Sequence, residues 1–313
     1  MHIQSLFLLK EAMEETNKEK VLILGITGML GHQLFNRLSA NGKFSVFGSA
    51  RSIRGIEPCF DPDHRNRIFQ NVDAVSPESF RKLFADIRPD VVINCIGIIK
   101  QLPAANDPLT AIGINSLFPH QVAHLCKEYK CRLIHVSTDC VFSGKKGNYS
   151  EHDPSDAEDL YGRTKYLGEV SYPHSITLRT SIIGHELKGK YGLIEWFLAQ
   201  DKKIRGYRRA IFSGFPTIEL ARIISDVVIP DDTLNGLYHV SSEPISKFDL
   251  LTIVAGTYRK NIEIEPYDGV CENRSLDSSA FRNKTGYEPP SWEKLIDNMY
   301  RDYINCRCYR SDD

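Results

Sequence analysis

The chain has 313 residues, with 39 Lys plus Arg against 40 Asp plus Glu, a formal net charge of −1. That balance argues against a general nucleic-acid binder, which carries a basic excess. A hydrophobic fraction of 42% with 25% charged residues excludes disorder as the main state, and the length suffices for one large α/β domain or about two ordinary ones.

Residues 1–20 are expected to form an extension before the fold. They hold a short apolar patch, Leu6 to Leu9, and then a highly charged stretch, Lys10 to Lys20, without the basic start or small-residue cleavage site of a signal peptide. The fold is expected to begin at Val21. Val21 to Leu24 is a short apolar run ending at Gly25, which suits a strand buried on both faces. Met29 to Ser39 has helical periodicity, closed by Asn41-Gly42. Strands are predicted at Phe44 to Gly48, Ile68 to Val72, Val91 to Ile96, Cys131 to Ser137 and Ser175 to Arg179. Helices are predicted at Pro77 to Ile87, Pro108 to Tyr129 and Asp159 to Val170. Strands alternating with helices imply βαβ units and a Rossmann-type, doubly wound parallel sheet.

Beyond Thr180 the rhythm is irregular. Helices are predicted at Leu193 to Gln200, Ile218 to Val228, Ser246 to Tyr258 and Trp292 to Tyr303, with short strands at Gly236 to Val240 and Ile262 to Ile264. The expected architecture is a dinucleotide-binding domain over 21–180 with returning segments at about 211–240. A smaller mixed α/β substrate lobe is expected from 181–210 and 241–313.

Eight cysteines carry no C-x-x-C pair and no metal-type spacing, so no metal is expected. Cys95 and Cys131 sit in apolar runs and read as small buried hydrophobes. The Cys306-x-Cys308 pair leaves a redox or metal role open. This usage fits a reducing cytosol, and no apolar run approaches the roughly 20 residues of a membrane span. The expected setting is cytoplasmic, with no membrane and no nucleic-acid partner.

Gly25-Ile26-Thr27-Gly28-Met29-Leu30-Gly31 is G-x-x-G-x-x-G between a strand and a helix. Missing side chains let backbone amides approach a pyrophosphate, and the helix start adds partial positive charge. A merely structural turn is the alternative, but the flanking elements favour dinucleotide binding. The second strand ends in Gly48-Ser49-Ala50-Arg51-Ser52-Ile53-Arg54, with no acid to hold a ribose 2′-hydroxyl. Arg51 and Arg54 either pair with a 2′-phosphate, favouring NADP(H) over NAD(H), or are solvated loop residues. Asp73 follows the third strand and is placed to face the adenine, with Ala74 beside it.

Ser137-Thr138-Asp139 ends the fifth strand, where ligands of open α/β sheets sit. Tyr161 and Lys165 stand four positions apart on one helix face. Alone, that pair is an ordinary surface tyrosine and lysine. With the glycine turn and Thr138 it becomes an acid/base set, Lys165 lowering the Tyr161 pKa and Thr138 donating to a substrate oxygen. His120, His124 and His135 show no metal spacing, and His124 and His135 read as packing residues. Arg205, Arg208 and Arg209 are either a solvated face or partners for a substrate diphosphate. Trp196 and Phe197 read as core.

These motifs resemble the extended short-chain dehydrogenase/reductases, and among them the dTDP-4-dehydrorhamnose reductase-like sugar-nucleotide reductases. The resemblance runs over about Val21 to Tyr300. It rests on Asp90 to Cys95, Ile114-Asn115, Ser137 to Gly144 as an S-T-D-x-V-F-x-G stretch, the Tyr149, Glu151 and Pro154 approach to Tyr161, Gly168-Glu169, Leu178-Arg179-Thr180 and Phe215-Pro216-Thr217. It implies an NAD(P)-dependent oxidoreductase of deoxysugar and polysaccharide precursor synthesis, with a nucleotide-diphosphate sugar as substrate and a homodimer as an open expectation. In that set Thr138, Tyr161 and Lys165 are catalytic, with Asn115 supporting the lysine through water. Cys95 and Gly97 join the cofactor site, and Lys100, Asp139, Val141, Phe142, Arg179 and Arg208 are substrate contacts.

Two stretches depart from the family pattern. Ile211-Phe212 stand where an Asp-Gln pair is usual, and Gly97 to Gln101 differs from the usual loop. Both fall where the resemblance places the sugar, so the implied substrate is a 4-keto-6-deoxy sugar nucleotide of open identity. A 4,6-dehydratase needs Asp-Glu after the threonine, whereas here Asp139 is followed by Cys140. The remaining alternatives are an epimerase with tightly held NAD and a non-catalytic regulatory subunit resembling methionine adenosyltransferase β.

Overall fold

The structure is a computed structural model that describes residues 18–309. The expected extension lies outside the described residues except for its last three, and the first strand takes Lys20 from it. In chain order the elements are β1 (Lys20–Leu24), α1 (Met29–Ala40), β2 (Ser45–Ser49), β3 (Ile68–Phe69), α2 (Pro77–Ile87) and β4 (Val91–Asn94). A helical stretch follows whose final part is α3 (Phe118–Tyr129), then β5 (Arg132–Thr138), α4 (Leu160–Leu167), β6 (Ser175–Thr180), β7 (Ile182–Ile183) and α5 (Leu193–Leu198). The chain closes with β8 (Ile204–Phe212), β9 (Phe215–Pro216), α6 (Thr217–Ile223), β10 (Gly236–His239), β11 (Ile245–Ser246), α7 (Lys247–Thr257), β12 (Ile264–Asn273), α8 (Ser279–Thr285) and α9 (Trp292–Asn305).

Seven strands make one parallel sheet in the order β10-β6-β5-β4-β1-β2-β3. The order reverses beside β1, which is where a doubly wound sheet opens a crevice at its carboxyl edge. Val21 to Leu24 are wholly buried because helices cover both faces. Val21 and Ile23 point into the apolar layer that holds Leu34, Leu220 and Leu295. Leu22 and Leu24 point into the layer of Phe80, Phe84 and Phe118. The third strand is shorter than its apolar run suggests, because Asn71 takes a left-handed φ of 61° and turns the chain away.

Pro108 to Tyr129 is helical throughout but not uniform. Pro108–Ala111 is α-helical, and Ile112–Leu117 is a π-helical turn before α3. Such a turn widens the helix by one residue and often marks a functional position; here it holds Asn115.

The second half supplies two additions. β10 pairs in parallel with β6, so the returning segment completes the large sheet. A further mixed three-stranded sheet has the order β11-β8-β12. Its two long strands differ most from the sequence expectation. The arginines of β8 hid a strand, and β12 runs from Ile264 to Asn273 rather than ending at Ile264. No helix among the described residues is long and apolar enough to cross a membrane.

Candidate active site

A cavity of about 640 Å³ opens at the carboxyl ends of β1, β4 and β5, between the large sheet and the three-stranded one. Its floor begins at the glycine turn. Gly25 has φ +84°, and the amides of Gly25 and Ile26 both donate to Ser49 O at 3.1 Å. A Cβ on Gly31 would stand 2.2 Å from Gly25 O, so α1 can leave the turn this closely only with glycine there. The first turn of α1 contains no acidic residue, and no side chain caps it. Gly28, Met29 and Leu30 line the cavity, so unshared helix amides face it.

The opposite wall carries the acid/base candidates. Thr138 is the last residue of β5 and Tyr161 the second of α4, with Asp159 capping that helix through Gly162 N at 2.7 Å. Two glycines let α4 pack closely on the turn after β5 and on the π-helical turn. A Cβ on Gly162 would lie 2.3 Å from Cys140 O, and one on Gly168 1.9 Å from Asn115 O. The Thr138 hydroxyl donates to Asp139 Oδ1 at 3.1 Å and is close enough to the Tyr161 phenol to favour its ionised form. Lys165 is buried and donates to Val136 O at 3.0 Å. A Cβ built on Gly97 would lie 3.7 Å from Lys165 Nζ and 3.4 Å from Asn115 Oδ1, so the Gly97 backbone comes close to both. Asn115 Oδ1 accepts the Ile98 amide at 2.9 Å and so pins that loop.

The electrostatics differ from the sequence expectation at one point. Lys165 is not among the leading influences on the Tyr161 pKa here, and the net shift is upward. Burial dominates and pushes the phenol above its ordinary value, Cys140 and Asp139 push the same way, and the nearby Thr138 hydroxyl opposes them. Burial also lowers the Lys165 pKa to about 8, and it raises the Cys95 pKa to about 12. Asp139 is buried too, and its carboxyl is pushed up by desolvation against the pull of Arg274. The site therefore holds a protonated phenol beside a lysine poised near neutrality.

Cys95, Gly97, Lys100 and Asp139 also line the cavity, and Lys100 Nζ pairs with Asp159 Oδ2 at 2.6 Å. Other expected contacts lie elsewhere. Arg179 is 3% exposed and bound through two nitrogens to Glu169, at 2.7 Å each, so it is not at the cavity. Val141 and Phe142 are buried with Tyr149 and Leu276 behind the site, Phe142 stacked on Tyr149 at 4.1 Å. Arg208 lies on the exposed side of β8 in a two-pronged pair with Asp268, and Arg205 covers the Tyr267 ring at 4.7 Å. The arginine cluster is thus a solvated face.

Arg51 and Arg54 are exposed beyond β2, and Lys188 Nζ donates to Arg54 O at 2.7 Å nearby. Asp73 Oδ1 accepts the Val75 amide at 3.2 Å, and Asp73 and Ala74 lie outside the main cavity. His135 is buried against Asn94, at 3.2 Å, whereas His124 is exposed rather than packed. Among the described residues no cluster of His, Cys, Asp or Glu is arranged to hold a metal ion.

The cavity also takes residues that the motifs do not reveal. Trp196 is 40% exposed on its wall rather than in the core, and Tyr191, Glu186 and Arg274 join it. Only Trp196 gave a signal, an aromatic in a short helix, and it equally fits a core position.

Residues 19–305 match the family model described as RmlD substrate binding domain. The chain belongs to this family. It is an extended short-chain dehydrogenase/reductase, with the α/β fold of that group. A dTDP-4-dehydrorhamnose reductase of Aggregatibacter actinomycetemcomitans is 25% identical over 305 residues, covering 90% of this chain and 98% of the relative. The mouse (Mus musculus) methionine adenosyltransferase 2 subunit beta is 23% identical over 327 residues, covering 93% of each chain. The crystal structure of a Bacillus anthracis dTDP-4-dehydrorhamnose reductase in complex with NADP superposes with a TM-score of 0.74. That pair is 22% identical and covers 91% of this chain and 99% of the other.

Proposed function

We propose that this RmlD-family chain is a nicotinamide-dependent reductase of a keto-deoxy sugar nucleotide, with NADPH as the preferred reductant. The observation that carries this reading is the convergence of Thr138, Tyr161 and Lys165 on one cavity wall, facing the uncapped helix start at Gly28. The glycine turn fits a dinucleotide, because its close backbone approaches leave helix amides free for a diphosphate. The bound dinucleotide supplies the hydride. Lys165 holds the ribose by the donors it does not give to Val136 O, Gly97 and Asn115 keep the loop beside it in place, and Thr138 orients the carbonyl oxygen.

Tyr161 gives its proton to the oxygen as charge develops there. Its raised pKa keeps it protonated for that role. Arg51 and Arg54 have no ion-pair partner among the described residues, and with Lys188 they form a cationic edge suited to a 2′-phosphate. Trp196 and Tyr191 offer aromatic faces to the nucleotide sugar across the cavity.

Purified protein given NADPH and a panel of 4-keto and 3-keto sugar nucleotides tests the reading by loss of nicotinamide absorbance. Turnover with at least one of them, abolished in Tyr161→Phe, supports it. Absence of NADPH consumption across the panel overturns it. The likeness to an adenosyltransferase subunit supplies the competing reading, a partner-binding subunit, and a stable complex with an adenosyltransferase without turnover decides for that one. NAD that co-purifies and does not exchange decides for an epimerase.

A further inference from the structure

Three thiols meet at a place the proposed chemistry does not use. Cys59 ends the 3₁₀ turn Glu57–Cys59, which follows β2. Cys306 and Cys308 lie where the chain leaves α9, and Arg307–Tyr309 forms a second 3₁₀ turn against the first. The two turns pack on each other, and Cys59, Cys306 and Cys308 lie close enough for each to shift the ionisation of its neighbours. All three thiols are free and partly exposed. The segment that carries them also reaches α1, where Gln33 Nε2 donates to Tyr309 Oη at 2.9 Å and Tyr309 hydrogen-bonds His32. No metal-holding cluster includes them among the described residues, so their proximity is best suited to sulfur–sulfur chemistry.

We propose that Cys59 and Cys308 are a reversible disulfide site, oxidised by small-molecule disulfides such as oxidised glutathione, whose closure latches residues 306–309 onto the Rossmann domain. The exchange balances in two displacements. The Cys59 thiolate attacks one sulfur of the oxidant, forming a mixed disulfide and releasing one glutathione thiolate. The Cys308 thiolate then attacks the Cys59 sulfur, closing the protein disulfide and releasing the second. Two protein thiols are oxidised, one oxidant disulfide is reduced to two thiols, and the protein's two protons pass to them. Cys59 is the first nucleophile because the neighbouring Cys308 thiol and the Lys188 ammonium both favour its thiolate against burial. Burial still holds both thiols above their ordinary values, so the exchange speeds up as pH rises. Cys306 and Cys308 are separated by one residue and would close a small strained ring, which favours the Cys59–Cys308 bond.

The test incubates the full-length protein with oxidised glutathione, blocks remaining thiols with N-ethylmaleimide and maps the linked peptides by mass spectrometry. The expected product is an intramolecular Cys59–Cys308 bond that dithiothreitol reverses. The melting temperature should rise by several degrees on oxidation, because the bond ties the end of the described fold to its first half. That rise should survive in Cys306→Ser and vanish in Cys59→Ser and in Cys308→Ser. Free Cys59 and Cys308 under conditions that modify the exposed Cys271 would overturn the proposal. A Cys59–Cys306 bond, or only intermolecular bonds, would overturn it too.

Discussion

His32 Nδ1 donates to the carbonyl of Gly28 at 2.9 Å, tying the glycine turn to the helix that leaves it. Gly28 O can only accept, so Nδ1 carries the proton, Nε2 is an acceptor and Tyr309 must donate to it. Gln33 in turn donates to Tyr309. The chain of donors thus has one direction, from Gln33 through Tyr309 and His32 to the turn proposed to hold the diphosphate. It requires a neutral imidazole, and burial supplies one by lowering the His32 pKa to about 4.

That depression sets a pH dependence. Between the unfolded value of 6.5 and the folded value of about 4, the unfolded chain binds a proton that the folded chain refuses. Stability therefore rises with pH across this window, is complete above it and falls as pH drops from 6.5 toward 4. The ceiling from His32 is about 3 kcal/mol, and His239, also lowered to about 4, acts in the same direction. Urea midpoints at successive pH values should fall steeply below pH 6.5. In His32→Gln, which cannot ionise, that slope should be measurably shallower, and an unchanged slope would refute the assignment.

Lys165 illustrates a conflict between stability and the proposed chemistry. Its pKa of about 8, against 10.5 in the unfolded chain, means that folding costs free energy wherever the lysine is charged. Below pH 8 both states are protonated and the cost is at its full value; it declines as pH rises toward 10.5. Lys165→Met removes the buried charge and should stabilise the ligand-free protein by roughly 1 kcal/mol or more at pH 7. The same variant should lose most dinucleotide binding. Chemical denaturation beside a fluorescence titration with NADPH checks both signs, and a destabilised variant would show that the hydrogen bond to Val136 O outweighs the burial cost.

Much of this geometry was legible in local sequence. Val21 to Leu24 announced a doubly covered strand because both faces of β1 are apolar. Pro77 fixed the start of α2 because its ring suits the first helical position. Thr138, Tyr161 and Lys165 were legible because strand end and helix start follow one another in the chain. What failed to show depends on partners distant in sequence. β8 carries Arg205, Arg208 and Arg209 and looks like a polar loop until Tyr267 and Asp268 on β12 are placed beside it. Arg179 looks like an anion binder until Glu169 takes up its guanidinium. Trp196 and Arg274 enter the cavity from segments whose positions only the tertiary fold determines.

Gly162 tests whether close packing positions Tyr161. An added Cβ would sit 2.3 Å from Cys140 O and 2.6 Å from the Ala157 Cβ, and neither neighbour can swing aside as a long side chain would. Gly162→Ala should therefore push the start of α4 away from the turn at Cys140 and cost roughly 1–3 kcal/mol. If Tyr161 is the acid, activity should fall by more than the loss of folded protein explains. Activity normalised to the folded fraction, measured by near-ultraviolet circular dichroism, separates the two effects. An active, fully stable Gly162→Ala enzyme would mean that α4 has slack the structure does not show.

Arg179 separates a structural from a substrate-binding role. Its guanidinium meets both Glu169 oxygens at 2.7 Å, touches His239 Nε2 at 3.2 Å and lies over the Phe142 ring at 5.2 Å. Ser137 Oγ also donates to Glu169 Oε1 at 2.7 Å, so the pair is anchored to β5 next to Thr138. Removing one member leaves an uncompensated buried charge, which costs about 3–5 kcal/mol. Arg179→Met should show that loss in urea denaturation. Replacing both members together, as Arg179→Met with Glu169→Leu, should recover much of it, because an apolar pair of similar volume avoids the desolvation penalty. A substrate-contact role predicts the opposite pattern, with a raised KM in both variants and stability unchanged. The buried position of the pair behind β5 favours the first outcome, with KM unaltered wherever the protein is folded.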